Sequence, residues 1–258
     1  MKIILVGYGK MGRLLEERLL DRGHEIISIV DPFTDSTKGD KSGAPVYKSL
    51  EETLKLECDA AIEFTAPTSA VGNLLTLAKN KIPVVCGTTG WFDKLNEVSR
   101  AIEENGSSMV WAANYSLGVN IFYRIASYAA KLIDPFKEYD VAGLETHHNG
   151  KADSPSGTAK VLAEKVIKEM SRKKKAVYEM MDRKPQEDEI HFASLRVGSA
   201  FGTHSVIFDS PADTIEIVHN GRNREGLVSG AIVATEWLCE KKRTGVFTIE
   251  DVLADKLP

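Results

Sequence analysis

The sequence predicts an α/β protein: a doubly wound parallel sheet, followed by a second α+β domain with a mixed sheet. Apolar strand-like runs alternate with helix-like segments over the first 115 residues. The alternation stops there, and a long helix-like segment follows. Three strand-like runs later occur in succession, which is typical of an antiparallel or mixed sheet.

The first elements form a strand–helix–strand unit. Residues 2–6 are an apolar run that ends in glycine, which predicts a buried strand. Residues 10–22 carry apolar side chains at helical spacing, and Gly23 supplies the helix end. Residues 26–30 form a second apolar run. A helical crossover of this length joins parallel strands, so the sheet begins as a parallel one.

The alternation then continues to residue 112. Strands are predicted over 60–64, 83–86 and 109–112, and helices over 69–79 and 92–104. Residues 32–49 are rich in Thr, Ser, Lys, Gly and Pro, which predicts a mobile loop.

The second part is predicted to contain long helices and three consecutive strands. Its elements are helices over 117–133 and 156–170, strands over 141–145, 191–197, 204–208 and 214–218, and a last helix over 226–239. The basic run Arg172 to Lys175 is interpreted as a solvated helix end that complements the helix dipole.

Composition excludes several classes of function. The chain has 258 residues and a net charge of −4, so it lacks the basic character that attracts nucleic acid or anionic lipid. Its three cysteines are far apart, which indicates neither a disulfide framework nor a zinc knuckle. We expect reduced thiols in a cytoplasmic protein. No apolar stretch reaches the length of a membrane span.

Residues 7–12 read Gly-Tyr-Gly-Lys-Met-Gly and match G-x-G-x-x-G between a predicted strand and a predicted helix. Gly7 permits a tight turn, Gly9 lets the backbone approach a pyrophosphate, and Gly12 lets the helix pack close to the strand. The helix start offers free N–H groups to phosphates. The pattern favours a Rossmann-type dinucleotide domain, and the alternative is a glycine turn in another kind of α/β protein.

Asp31 lies 31 − 12 = 19 positions beyond the last glycine, at the end of the second predicted strand. A carboxylate there accepts hydrogen bonds from the adenosine ribose and repels a 2′-phosphate. We therefore expect NADH, with NADPH as the alternative because Lys10 offers a nearby cation.

Two further loops follow predicted strands, at residues 64–67 and 87–90. Ligands of an open parallel sheet bind beyond the carboxyl ends of its strands, so both loops are expected to border the nicotinamide. The alternative is ordinary turn chemistry, because glycine, threonine and proline are common in turns.

The segment from 145 to 159 combines two adjacent histidines and a lysine with a helix start. His147 and Lys151 can supply the proton that accompanies hydride delivery to a C=N or C=C bond. Ser156 and Thr158 can cap the helix, and such an end binds a carboxylate. The alternative is that these residues form an ordinary polar loop at the surface. Adjacent histidines on a strand point apart and no H-x-x-x-H pair occurs, so no metal site is predicted.

The same segment, E-T-H-H-N-G-K-A-D-S-P-S-G-T-A, resembles the signature of the 4-hydroxy-tetrahydrodipicolinate (dihydrodipicolinate) reductase family, the reductases of the diaminopimelate route to lysine. The resemblance covers essentially the whole chain. Further matching stretches are G-Y-G-K-M-G at 7–12, F-T-A-P at 64–67, G-T-T-G-W at 87–91, A-A-N-Y-S-L-G-V-N at 112–120 and R-V-G-S-A-F-G-T-H at 196–204.

The resemblance implies a role for each matching position. His147 is expected to donate or accept a proton and Lys151 to be a second proton donor, while His148, Ser156, Gly157 and Thr158 are expected to bind a cyclic dicarboxylate substrate. The expected cofactor-binding residues are Gly7, Tyr8, Gly9, Lys10, Met11, Gly12, Asp31, Gly87, Thr88, Thr89, Ala112, Ala113, Asn114 and Tyr115.

The resemblance also implies a domain organisation. It predicts a dinucleotide-binding domain over 1–115, completed by 226–258, and a substrate-binding and oligomerisation domain over 116–225 that builds a homotetramer.

The sequence departs from the family pattern at three places. The glycine loop is one residue shorter than the common G-x-x-G-R-M-G, with Lys10 in place of the arginine, and Pro32 stands where NADPH users often have a basic residue. The histidine segment reads H-H-N-G-K rather than H-H-R-H-K. The first two departures leave a 2′-phosphate less well matched, and the third keeps the two histidines and the lysine.

Two other functions remain open on the sequence. Another two-domain nicotinamide-dependent dehydrogenase or imine reductase would share the glycine loop but not H-H-x-x-K before S-G-T. A non-catalytic NADH-binding module would bind the cofactor without turnover.

Overall fold

The structure, a computed structural model, describes residues 1–256 and divides into two compact units. The first unit comprises Met1–Leu117 and the C-terminal residues from Arg224 onward. The second unit comprises Gly118–Asn223. No helix within residues 1–256 is long and apolar enough to cross a membrane.

The helices and strands are numbered along the whole chain. Those of the first unit are β1 (Lys2–Val6), α1 (Lys10–Asp21), β2 (Glu25–Val30), β3 (Val46–Tyr47), β4 (Ala60–Glu63), α2 (Pro67–Lys79), β5 (Val84–Cys86), α3 (Leu95–Glu104), β6 (Ser108–Trp111), α6 (Glu225–Glu240), β12 (Gly245–Thr248) and α7 (Ile249–Lys256). Short 3₁₀ turns lie at Leu50–Thr53 and Phe92–Lys94. Those of the second unit are α4 (Leu117–Ile133), β7 (Asp140–His147), α5 (Gly157–Glu169), β8 (Lys175–Val177), β9 (Glu189–Arg196), β10 (Gly202–Asp209) and β11 (Thr214–Gly221).

The first unit is built on a seven-stranded sheet of order β12-β6-β5-β4-β1-β2-β3, in which every pairing is parallel. Successive side chains of β1 enter different cores, because a strand alternates its faces. Ile3 and Leu5 pack with residues of α1, α6 and α7. Ile4 and Val6 pack with residues of α2 and α3. Helices on both faces explain the uninterrupted apolar runs in the sequence.

The second unit contains a five-stranded mixed sheet of order β11-β10-β7-β9-β8. Strand β10 is antiparallel to both neighbours, whereas β7, β9 and β8 pair in parallel. Apolar side chains of α4 and α5, such as Phe122 and Leu162, share one core with Val206 and Phe208 of β10. The predicted fold class, a doubly wound parallel sheet with a second α+β part, is therefore confirmed.

The interpretation of the basic run as a solvated helix end is wrong. Helix α5 ends at Glu169, and the Lys173 side chain is only 3% exposed. Its ammonium donates to a carboxylate oxygen of Asp140 at 2.6 Å and to the Glu189 carbonyl at 2.8 Å. A buried lysine is stable here because the starts of β7 and β9 supply both acceptors.

The strands β3, β8 and β12, the helix α7 and the 3₁₀ turn at Leu50–Thr53 were not predicted. Strand β3 pairs with β2 through two residues inside the predicted loop 32–49. Strand β12 extends the parallel sheet by pairing with β6. The three strands have two to four residues each, which gives too little periodicity to be recognised without their partners.

Candidate active site

The glycine loop has the geometry that its sequence predicts. Gly7 has a φ of +99°, and a Cβ there would lie 2.0 Å from the Phe64 carbonyl oxygen. A Cβ at Gly12 would lie 2.1 Å from the Gly7 carbonyl oxygen, so only glycine lets α1 begin this close to β1. Gly9 is exposed, and a Cβ added there would meet no atom within 4 Å. This open backbone fits a pyrophosphate at the start of α1.

Asp31 organises the turn that follows β2. Its Oδ2 accepts a hydrogen bond from the Tyr8 N–H at 2.7 Å. Its Oδ1 accepts from the N–H groups of Phe33 and Thr34 at 2.8 and 3.1 Å. The carboxylate is thus fixed beside the glycine loop, and Oδ2, with one donor, keeps lone-pair capacity for a ribose hydroxyl.

Two of the predicted cofactor residues place their side chains in the core. Tyr8 is 2% exposed, and its hydroxyl donates to Glu16 at 2.5 Å. Tyr115 is 1% exposed, with its hydroxyl 2.9 Å from the Val110 carbonyl and 3.0 Å from that of Cys86. Burial raises the pKa of Tyr115 well above its ordinary value. Only the backbone of these two tyrosines remains for a cofactor contact.

The loops after β4 and β5 contact each other at the carboxyl end of the sheet. The Thr65 N–H donates to the Thr88 hydroxyl at 2.7 Å. A Cβ at Gly87 would lie 2.1 Å from the Phe64 ring, so the close packing requires glycine. The structure thus brings the two predicted nicotinamide loops together, as neighbouring parallel strands require.

The other predicted cofactor residues differ in exposure. Lys10, Thr89 and Ala113 are exposed, whereas Met11 and Asn114 are partly buried and Ala112 is buried. Asn114 accepts a hydrogen bond from the Ser116 N–H at 2.8 Å, which shapes the turn before α4.

In the second unit, polar side chains from three strands and a helix start meet around Glu145. Glu145 and His147 share one face of β7, and Oε2 of the carboxylate lies 3.0 Å from Nδ1 of the imidazole. Register places His204 of β10 opposite Glu145 and Arg196 of β9 opposite His147. Arg196 and the N–H of Ser156 both donate to Oε1 of Glu145, at 3.1 and 3.0 Å. We call these five residues the histidine cluster.

The electrostatics of the histidine cluster favour an ionised glutamate and a neutral histidine. Burial opposes ionisation of Glu145, but hydrogen bonds from His204 and Ser156 outweigh it and lower the pKa of the carboxyl far below its usual range. Burial lowers the pKa of His147, and the Glu145 charge only partly offsets this. A donor Nδ1–H toward Glu145 leaves Nε2 of His147 as the working nitrogen.

Space next to that nitrogen comes from a glycine. A Cβ at Gly202 would lie 3.0 Å from Nε2 of His147. Any larger residue would press on the imidazole, so the glycine leaves room for a proton acceptor beside Nε2.

The other predicted residues of this segment surround the cluster. Lys151 donates to Asp153 at 2.7 Å, and His148 is exposed. Ser156 caps α5 by accepting from the Ala159 N–H at 3.1 Å. Gly157 is exposed with an open backbone, and Thr158 is partly buried in the first turn. Gly157 therefore leaves open backbone at the helix start, and the binding of an anion there stays a prediction.

Glu145, Arg196 and His204 received no role from the sequence. For Glu145 a signal existed, because residues two apart on a strand share a face. For the other two no local pattern pointed to Glu145, since 51 and 59 positions separate them from it, by 196 − 145 and 204 − 145. The family-like stretch 196–204 begins and ends with them, but it assigned them no role.

The cluster also contains a set of potential metal donors. One donor atom each of Glu145, His147 and His204 lies within 4.8 Å of the others. No metal site was predicted because the adjacent histidines point apart and no H-x-x-x-H pair occurs, both of which are local patterns, whereas the fold joins donors of two strands. The Arg196 guanidinium, 3.1 Å from Glu145, already balances the carboxylate charge. This donor set therefore fits a hydrogen-bonded network better than a dication site.

Comparison with known proteins gives a consistent picture. The family description "Dihydrodipicolinate reductase, N-terminus" matches residues 1–115, and "Dihydrodipicolinate reductase, C-terminus" matches residues 118–253. A 4-hydroxy-tetrahydrodipicolinate reductase of Christiangramia forsetii is 37% identical and covers 99% of this chain and 98% of its own. Relatives of the same name from Aquifex aeolicus and Archaeoglobus fulgidus are 34% and 32% identical, over at least 95% of each chain.

Solved structures show the same fold. A dipicolinate-bound dihydrodipicolinate reductase from Paenisporosarcina sp. TG-14 superimposes with a TM-score of 0.78 at 21% identity, over 96% of this chain and 97% of that one. The parallel sheet with its glycine loop defines a nicotinamide-dependent oxidoreductase with a separate second unit. The chain belongs to the dihydrodipicolinate reductase family, as its sequence signature implies.

Proposed function

We propose that this protein reduces 4-hydroxy-tetrahydrodipicolinate to tetrahydrodipicolinate with a nicotinamide cofactor, in the diaminopimelate route to lysine. The observation that carries this proposal is the family match over both parts of the chain. A bound reduced nicotinamide supplies hydride to the substrate ring, and the substrate hydroxyl leaves as water. The protein must therefore hold an anionic dicarboxylate and manage protons near its ring.

The histidine cluster and its surroundings suit those two tasks. His147 is the proposed proton donor or acceptor through Nε2, with Lys151 as a second donor. The start of α5 at Gly157 and Thr158, together with His148, is proposed to bind a substrate carboxylate. Support comes from the exposed backbone of Gly157 at that helix start and from the ionised Glu145, whose Oε2 lies 3.0 Å from Nδ1 of His147.

For the cofactor we propose NADH over NADPH. Gly9 offers open backbone to the pyrophosphate, and Asp31 is fixed beside it as the ribose acceptor. A 2′-phosphate would meet this carboxylate, and the following Pro32 supplies no cation. The remaining cofactor positions, including Thr88 and Ala112, are proposed to line the nicotinamide side. The first unit is thus the proposed dinucleotide domain, and the second the substrate domain.

We further propose a cytoplasmic homotetramer. Strand β11 lies at the edge of its sheet with Ile215 and Val218 exposed, and such an edge is a template for pairing with another chain. All three cysteines are free thiols, which supports a reducing compartment. Sedimentation equilibrium should give four times the chain mass, and a monomer at micromolar concentration would contradict the proposal.

The deciding experiment is a steady-state assay with freshly generated product of dihydrodipicolinate synthase. We expect fast oxidation of NADH and a lower kcat/KM with NADPH. Binding of NADH without any oxidation would instead favour a non-catalytic NADH-binding module. Turnover only with other imines would favour a related imine reductase.

A further inference from the structure

His204 lies at the centre of the histidine cluster, yet it is buried away from any open surface. Its side chain is 5% exposed. Its Nε2 lies 3.1 Å from the Ser156 hydroxyl and 3.6 Å from Oε2 of Glu145. Its ring also packs edge-on against that of His147, with 5.1 Å between the centroids.

The surroundings of His204 select one tautomer. Its Nδ1 is buried and has no hydrogen-bond partner within residues 1–256. A buried N–H without an acceptor costs more than a vacant lone pair in an already crowded site, so the proton belongs on Nε2. There it can be donated to the Ser156 hydroxyl and points toward the Glu145 carboxylate.

Ser156 contacts both His204 and Glu145 and so connects the two residues. Its hydroxyl oxygen accepts hydrogen bonds from the Ala159 N–H and from Nε2–H of His204. The link to Glu145 is the Ser156 backbone N–H, which donates to Oε1 of the carboxylate at 3.0 Å. Oε2 of Glu145 approaches Nδ1 of His147 to 3.0 Å, but neither atom has a well-aligned hydrogen bond in this structure.

We infer that His204 is a positioning residue: its Nε2–H, through Ser156 and Glu145, connects the start of α5 to the imidazole of His147. The inference deepens the proposed function, because it rests on His147 handling a proton and on α5 binding a carboxylate. A ligand anion at α5 would act on the same serine that governs how strongly Glu145 holds the proton on His147 Nδ1.

The charged groups around this connection come from every neighbouring element. Glu145 belongs to β7, Arg196 to β9, and Lys151 to the loop before α5. His219 of β11 is the cross-strand partner of His204. Helix α5 contributes the uncharged Ser156 at its start. The exposed Asp153 carboxylate pairs with Lys151 at 2.7 Å, whereas the buried Glu145 carboxylate lies 3.0 Å from His147. Donors to Glu145 therefore decide how much negative charge His147 senses.

The test measures His147 directly in the free protein. Side-chain NMR with ¹⁵N labelling should show His204 protonated on Nε2 and not on Nδ1 in the unmodified protein. His204→Met removes the donor and should raise the pKa of His147 by about half a unit or more, because Glu145 is then less neutralised. His204→Gln restores an N–H at that place and should keep the titration within about 0.2 unit of the parent.

His191→Met, another histidine of the same sheet, is the matched control and should leave the His147 titration unchanged. An Nδ1–H tautomer of His204 overturns the inference, and so does a folded His204→Met protein in which His147 titrates as in the parent. If His204→Met does not fold, the tautomer of the unmodified protein and the glutamine variant still decide. Absence of turnover in the parent enzyme would contradict the proposed function and leave the NMR result standing.

Discussion

Glu145 and His147 lie two residues apart on β7, and their facing atoms, Oε2 and Nδ1, are 3.0 Å apart. An extended strand repeats its faces every two residues, so this contact is built into the local sequence. The carboxylate keeps the imidazole oriented with Nε2 beside Gly202. A histidine held in this way can exchange a proton on one nitrogen without rotating.

The pH dependence should report the state of His147. Burial lowers its pKa, so the protonated donor is lost as pH rises through a value below about 6.5. We expect kcat/KM to fall on the alkaline side of that pKa. His147→Gln should lower kcat by about 100-fold or more and abolish this limb. The control variant His191→Gln should keep the alkaline decrease in kcat/KM. If His147→Gln also kept this decrease, another group would be responsible for it.

Lys151 should matter for turnover but not for the cofactor. Its ammonium donates to exposed Asp153 at 2.7 Å and lies outside the first unit. Lys151→Met is expected to lower kcat by about 100-fold or more, while the Kd for NADH, measured by fluorescence titration, stays near the parent value. Lys160→Met, an exposed lysine of α5, should change neither. Unchanged turnover in Lys151→Met would remove this residue from the mechanism.

Asp31 should set the preference between the two cofactors. Asp31→Asn keeps an oxygen for the N–H groups of Phe33 and Thr34 but loses the acceptor of the Tyr8 N–H, which should weaken the binding of both cofactors alike. It also removes the charge that opposes a 2′-phosphate, and the ratio between the two cofactors reports that change. We expect the ratio of kcat/KM for NADH over NADPH to fall by about tenfold, which corresponds to about 1.4 kcal/mol. Asp35→Asn, in the same exposed loop, is the control. A ratio that stays constant would mean that Asp31 only shapes the turn.

Gly12 should be intolerant of any side chain. A Cβ there would lie 2.1 Å from backbone of Gly7, so Gly12→Ala must shift α1 or the loop and should cost about 2 kcal/mol of stability and weaken NADH binding. Gly72→Ala in α2 meets no atom within 4 Å and should be neutral or stabilise by up to about 1 kcal/mol. Urea unfolding and NADH titration of both variants provide the measurement. Equal stability and equal NADH affinity of the two variants would contradict close packing at the glycine loop.

Protonation of Glu145 should contribute to the acid-induced unfolding of the second unit. Its folded pKa is lowered, so its contribution to stability is complete above the unfolded value of about 4.3 and is lost as pH falls further toward the folded pKa. Glu145→Gln should therefore show a shallower loss of stability below pH of about 4.5 than the parent. Glu97→Gln, an exposed change on α3, should retain the parent slope. Urea midpoints measured across this pH range would decide.

Local sequence patterns were sufficient to predict the parallel sheet, the glycine loop and the cap of α5. Each of these depends on neighbouring residues: apolar periodicity, glycines at fixed spacing, or a serine two positions before Thr158. The steric demands confirm this at Gly7 and Gly12, where a side chain would collide with neighbouring backbone. The local conformation of these elements follows directly from their sequence patterns. They could therefore be recognised without knowledge of any tertiary contact.

The surroundings of His147, in contrast, depend on how distant strands pair. Arg196 and His204 reach Glu145 because β9 and β10 pair with β7 in one particular register, and a shift by one residue would turn both away. The same reason explains buried Lys173, whose acceptors Asp140 and Glu189 belong to two strands. Strand register depends on contacts far apart in the chain, and a local pattern cannot specify them.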